Sequence, residues 1–126
     1  MARWIGRTAL GFAAALALGA SAQAQAFDGD WRGTLAAGGQ ALRLVLHVHT
    51  DKEGTDVSID SLDQGAMDIP GAAMKQEPPN LGLLFLGIGG AYDATLSADG
   101  KTLTGKWTQG ANVLPLVLTL QPPAKP

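Results

Sequence analysis

The 126-residue chain contains no cysteine. This excludes a disulfide framework, a thiolate metal site and a cysteine-borne lipid anchor, so the fold must be held by burial and hydrogen bonding alone. Charge is also sparse, with Asp, Glu, Lys and Arg making up 16% of residues, and the basic residues from Arg32 to Lys125 stand singly. Nucleic acids and acidic lipids are held by clustered Lys and Arg, so neither is expected as a partner at a formal charge of −2. No G-x-S-x-G is present to hold a nucleophile on a strained turn, and Ser58, Ser61 and Ser97 sit in ordinary strand or turn contexts. Most carboxylates fall on turn or outward positions, where they cannot form the inward pair that glycosidic chemistry needs. The expectation is a protein without catalytic activity or cofactor.

No apolar run reaches the roughly 20 residues of a membrane-spanning helix. The N-terminus instead carries Arg3 and Arg7, an apolar stretch from Thr8 to Ala20, and the small-residue tail Ser21-Ala22-Gln23-Ala24-Gln25-Ala26. This is the pattern of a secretory signal peptide, with Ala24-Gln25-Ala26 matching the A-x-A cleavage site. Residues 1–26 are read as that leader, 27–121 as one domain and 122–126 as a disordered proline-rich tail. The mature protein is expected in the periplasm or secreted, without a transmembrane segment. Loss of Arg3 and Arg7 takes its formal charge from −2 to −4.

What the chain does have is period-two alternation, and no apolar pattern of helical period lasts three turns. Leu42, Leu44, Leu46 and Val48 share one face of a strand, and Arg43, Val45, His47 and His49 share the other. Leu114, Leu116, Leu118 and Leu120 repeat the inward pattern near the C-terminus. Turn signals fall at Gly38-Gly39, Asp51 to Gly54, Asp63 to Gly65, Pro78 to Asn80, Gly89-Gly90, Ala98 to Gly100 and Gln109-Gly110. These breaks divide the domain into about eight strands. Tight turns join antiparallel neighbours, so the expected architecture is all-β, an up-and-down antiparallel barrel of lipocalin-like form, with an open barrel or two-sheet sandwich as the alternative. Pro115 stands against closure, because proline donates nothing to a strand ladder.

Three stretches that read as strands open on a glycine, a spacer and an aromatic residue: Gly29-Asp30-Trp31, Gly90-Ala91-Tyr92 and Gly105-Lys106-Trp107. Large rings at strand starts can plug a barrel end or line a pocket, and the plug is the preferred role for Trp31 and Trp107, with Tyr92 a further candidate. The Gly-x-Trp opening resembles the lipocalin and calycin group. A longer likeness runs through Asp63-Gln64-Gly65-Ala66, Ile69-Pro70, the stretch from Gly90 to Gly110, and Leu114-Pro115-Leu116-Val117-Leu118. It resembles the β-rich accessory domain that precedes the catalytic domain of secreted bacterial α/β-hydrolases and related serine hydrolases. That resemblance implies a β fold and an exported setting. It implies no catalytic role, because the sequence stops at Pro126, where such proteins continue into the hydrolase. The segment from Ala72 to Asn80 departs from the alternating strand pair usual in those domains.

Two further features stand out. His47-Val48-His49 places both imidazoles on one strand face, and a hairpin turning at Lys52-Glu53 would bring Asp56, Ser58 and Asp60 beside them. The outward parity favours a solvated patch, and no metal is expected. The run Leu81-Gly82-Leu83-Leu84-Phe85-Leu86-Gly87-Ile88 is apolar on both faces, so either Leu84, Leu86 and Ile88 or else Leu83 and Phe85 should leave the core. Leu83, Leu84, Phe85, Leu86 and Ile88 form the candidate interaction surface, for a protein partner, a second copy or a lipophilic molecule, unless the segment from Ala72 to Asn80 folds over them. The large inward leucines argue for a filled barrel. The leading expectation is therefore an exported module acting by protein contact. The alternatives are a carrier of a small hydrophobic ligand and an accessory subunit of a separate serine hydrolase.

Overall fold

The computed structural model describes residues 25–123, so all but the last two residues of the expected leader, and residues 124–126 of the expected tail, lie outside it. Eight strands follow one another around a closed antiparallel barrel. They are β1 (Gly29–Ala37), β2 (Gln40–Asp51), β3 (Gly54–Ser61), β4 (Ala66–Glu77), β5 (Asn80–Phe85), β6 (Gly90–Leu96), β7 (Thr102–Gln109) and β8 (Asn112–Leu120). Each turn signal in the sequence marks a connection. Two of these, Leu62–Gln64 and Leu86–Ile88, are single 3-10 turns ended by a glycine in the left-handed region, Gly65 and Gly89.

The alternation predicts the inward face well. Leu44, Leu46 and Val48 of β2 are buried, as are Leu116 and Leu118 of β8, while Val113 and Val117 face outward. Val45 is an exception, buried despite its outward parity. The 3-10 turn at Leu62–Gln64 packs back over β2, tethered by Asp63, which accepts hydrogen bonds from the Arg43 guanidinium and from the Arg43 backbone N–H at 2.7 Å.

The barrel closes through a short seam. Only Trp31 opposite Leu120 and Arg32 opposite Thr119 pair between β1 and β8. Pro115 lies beyond that seam and pairs with Lys106 of β7 alone, so its missing N–H leaves no gap in the β1 ladder and closure is preserved. Beyond the paired residues the strands still approach closely at Gly33, where a Cβ would stand 2.2 Å from the Val117 carbonyl oxygen.

The segment from Ala72 to Asn80 does not fold over β5. Residues 72–77 belong to β4 and pair with β5 through one irregularity between Ala73 and Lys75. No residue of β4 is fully buried. Two of its inward positions, Gly71 and Ala73, are small, and the Phe85 ring of β5 fills the space over Gly71, where a Cβ would lie 2.5 Å from that ring.

Candidate functional site

The two ends of the barrel are built differently. At the first end the chain entering β1 seals the interior, with Phe27 and Trp31 both fully buried. The Trp31 indole N–H donates to the Phe27 carbonyl at 3.0 Å. A polar ladder crosses the neighbouring strands there: the Thr50 hydroxyl donates to Asp28 at 2.7 Å and lies 3.1 Å from the Thr55 hydroxyl, which accepts from the Gln76 amide at 3.0 Å. The Trp31 ring is fully enclosed at this end.

At the opposite end the interior is open. Strand ends and connections surround a cavity of about 440 Å³, within the range of small-molecule sites. Leu35, Leu42 and Leu44 wall one side, and Ile59, Ile69 and Leu114 continue the apolar surface. These are the inward positions of their strands at the mouth, so the same alternation that builds the core also makes the lining apolar. The expectation of a wholly filled barrel is corrected here. Phe27 and Trp31 fill the sealed end, whereas the side chains at the mouth, Trp107 among them, leave space between them.

Trp107 forms one wall of this cavity and is not an end plug. Its ring tilts at 37° against Phe85, centroid to centroid 5.4 Å. Its indole N–H donates to Gln109 Oε1 at 3.1 Å, and Gln109 Nε2 donates to the Ile88 carbonyl at 2.9 Å. Gln109 therefore fixes both the indole and the adjoining turn. Gly90 completes the arrangement, because a Cβ there would stand 2.6 Å from Trp107 Cζ2. Tyr92 has a third role as a tie across the core. Its hydroxyl donates to the Leu116 carbonyl at 2.8 Å, and burial pushes the phenol pKa up.

The candidate interaction surface is divided among three environments. Leu83 and Phe85 point into the core and are buried, so they offer no surface. Leu84 is half-buried on the outer face. The strand ends at Phe85, which places Leu86 and Ile88 in the following turn, on neither face of the sheet. Leu86 is 80% exposed, and Ile88 is on the rim of the cavity.

On the outer wall, the expected hairpin pairs His47 with Ser58 and His49 with Asp56. His47 stands between two carboxylates, with Nδ1 2.6 Å from Asp30 and Nε2 2.8 Å from Asp60. Partial burial disfavours its charge, but the hydrogen bonds and negative charges of Asp60 and Asp30 outweigh that, and its pKa is raised. Asp60 is itself nearly buried, which opposes ionisation. The backbone N–H of Asp68, at 2.8 Å, and the imidazole nevertheless hold its pKa down. A shelf of about 550 Å³ runs along this wall past His49, Asp56 and Pro122. Among the described residues no group of three His, Asp or Glu side chains could hold a metal ion.

The polar rim of the mouth is not anticipated by the sequence reading. Gln64, Gln109 and Asn112 line it, all in or beside connections whose glycines mark them as turns. That composition gives no indication of which end of the barrel each turn occupies. In comparisons with known proteins, no family model, curated protein or solved structure matches the chain.

Proposed function

We propose that the chain is an exported, non-enzymatic barrel that takes a small, mainly apolar ligand into its open mouth. The observation that carries this reading is the one-ended cavity, sealed below by Trp31 and walled above by aliphatic residues and the Trp107 indole. Burial of apolar ligand surface supplies the affinity. The indole held by Gln109 supplies a rigid flat wall that requires no ordering on binding. Export rests on the leader-like residues 1–26, and the lipocalin-like Gly-x-Trp opening is in keeping with a carrier.

The neutral fluorophore N-phenyl-1-naphthylamine is expected to bind the mature protein saturably, one per chain, and to quench tryptophan emission. Ala66→Phe fills the mouth from its rim and should reduce that binding at least about tenfold, as expected when a pocket is blocked. Absence of binding, or binding indifferent to Ala66→Phe, would remove the reading.

Exposed Leu86 favours a second reading, contact with another protein at the same rim, such as a separately encoded serine hydrolase or a second copy of the chain. Light scattering of the mature protein and of Leu86→Lys separates the two. A monomer in both, with the fluorophore bound in both, leaves ligand binding as the function.

A further inference from the structure

We infer that the mouth selects an uncharged ligand, an apolar chain or ring ending in a hydroxyl, ester or amide, and discriminates against the carboxylate or ammonium analogue of the same size. The inference rests on the mouth being the ligand site and concerns which chemical class it admits. Among the described residues, no Asp, Glu, Lys, Arg or His side chain lines the cavity. An ion entering such a site gives up water without gaining a countercharge, which opposes its burial.

The nearest ion pair is already committed elsewhere. Arg43 alternates with Leu42 and Leu44, which line the mouth, so its side chain leaves on the outer face. There its Nε and Nη2 engage the Asp63 carboxylate at 2.9 to 3.2 Å. Bidentate pairing holds the guanidinium in a fixed geometry away from the opening.

The neutral polar groups of the rim are only partly used. Gln109 spends both ends of its amide on Trp107 and on the Ile88 carbonyl. Ser61 donates to Gln64 Oε1 at 2.7 Å, which orients the Gln64 side chain and leaves its amide N–H groups without a partner among the described residues. The turn carrying Gln64 is anchored by Asp63 on one side and by the Gly65 N–H to Leu62 carbonyl bond on the other. A preset amide donor beside an apolar cavity matches a neutral oxygen acceptor at the end of an apolar body.

The test is displacement of N-phenyl-1-naphthylamine by dodecanol, dodecanoate and dodecylammonium at pH 7.5, each below its aggregation threshold. Dodecanol is expected to compete at least about tenfold better than either ion. Gln64→Lys exchanges the amide donor for a cation at the exposed rim and should shift the competition roughly threefold or more toward dodecanoate relative to dodecanol. Equal competition by all three ligands overturns the selectivity while the site stands. Failure of all three against a bound fluorophore overturns the ligand class, and failure of the fluorophore itself removes the site and this inference together. A preference for dodecanol that Gln64→Lys does not alter also overturns the inference, because the selectivity would then not come from missing charge.

Discussion

The sealed end and the open mouth of this barrel are made from the same local signal, a tryptophan two residues after a glycine, with opposite results. Trp31 comes early in β1, where the chain enters the barrel. Phe27 closes over it, and its N–H is satisfied by a backbone carbonyl. Trp107 comes late in β7, beside a wide mouth, and its N–H is satisfied by a side chain that also holds a turn. A ring enclosed on all sides contributes mainly to stability. A ring with one side toward a cavity has packing partners missing on that side, which a ligand can supply.

The contrast is broken most directly by truncating each ring. Trp31→Ala is expected to cost about 3–5 kcal/mol in urea unfolding, the range for a fully buried large aromatic. Trp107→Ala should cost less and should abolish fluorophore binding in the protein that remains folded. Equal losses of stability, or intact binding without Trp107, would mean that the two ends do not differ in this way.

A smaller effect sharpens the account of the mouth. Gly90→Ala introduces a Cβ that would stand 2.6 Å from the Trp107 ring. Overpacking of this kind typically costs about 1–3 kcal/mol. Because Phe85 and Gln109 also hold the indole, relief should come by displacement into the cavity, so fluorophore affinity should fall along with stability. A fall in stability alone would show that the ring yields in another direction.

The smallest effect concerns the outer face of β1 to β3, on the other side of the sheet from the cavity lining. His47 has a raised pKa in the folded protein. Its contribution is therefore fully present below the unfolded value of about 6.5 and is lost as pH rises through the folded value. Asp60 has a lowered pKa, so its contribution is present above the ordinary carboxylate range and is lost on acidification through its folded value. Urea midpoints at pH 5.5 and pH 8.5 should show the wild type favoured at the lower pH, with the difference reduced in His47→Gln. Fluorophore binding should be the same in both proteins. A His47→Gln variant with an unchanged pH dependence would remove His47 as its source.

Much of this was legible before any coordinates. Leu44, Leu46 and Val48 alternate with polar neighbours, and glycine or proline punctuates every connection, so strand number and inward faces followed from period and turn chemistry. The run from Leu81 to Ile88 was harder to read because it crosses an element boundary. Alternation holds through Phe85, and the last residues belong to a turn that has no sheet face. Val45 departs from its parity for a related reason: the turn at Leu62–Gln64, about 17 residues away and tied to Arg43 through Asp63, packs against β2.

The candidate site was the least legible part. Its polar rim is assembled from two separate connections, those between β3 and β4 and between β7 and β8, and nothing local distinguishes a turn at the sealed end from one at the mouth. Sequence by itself determined an all-β chain of eight antiparallel strands with a predominantly leucine and valine interior, because side-chain alternation and turn geometry are properties of neighbouring residues. Only the tertiary structure decided that one end is sealed and the other open. That depends on where each ring lies along the barrel axis and on what stands opposite it, which strand register and closure set together.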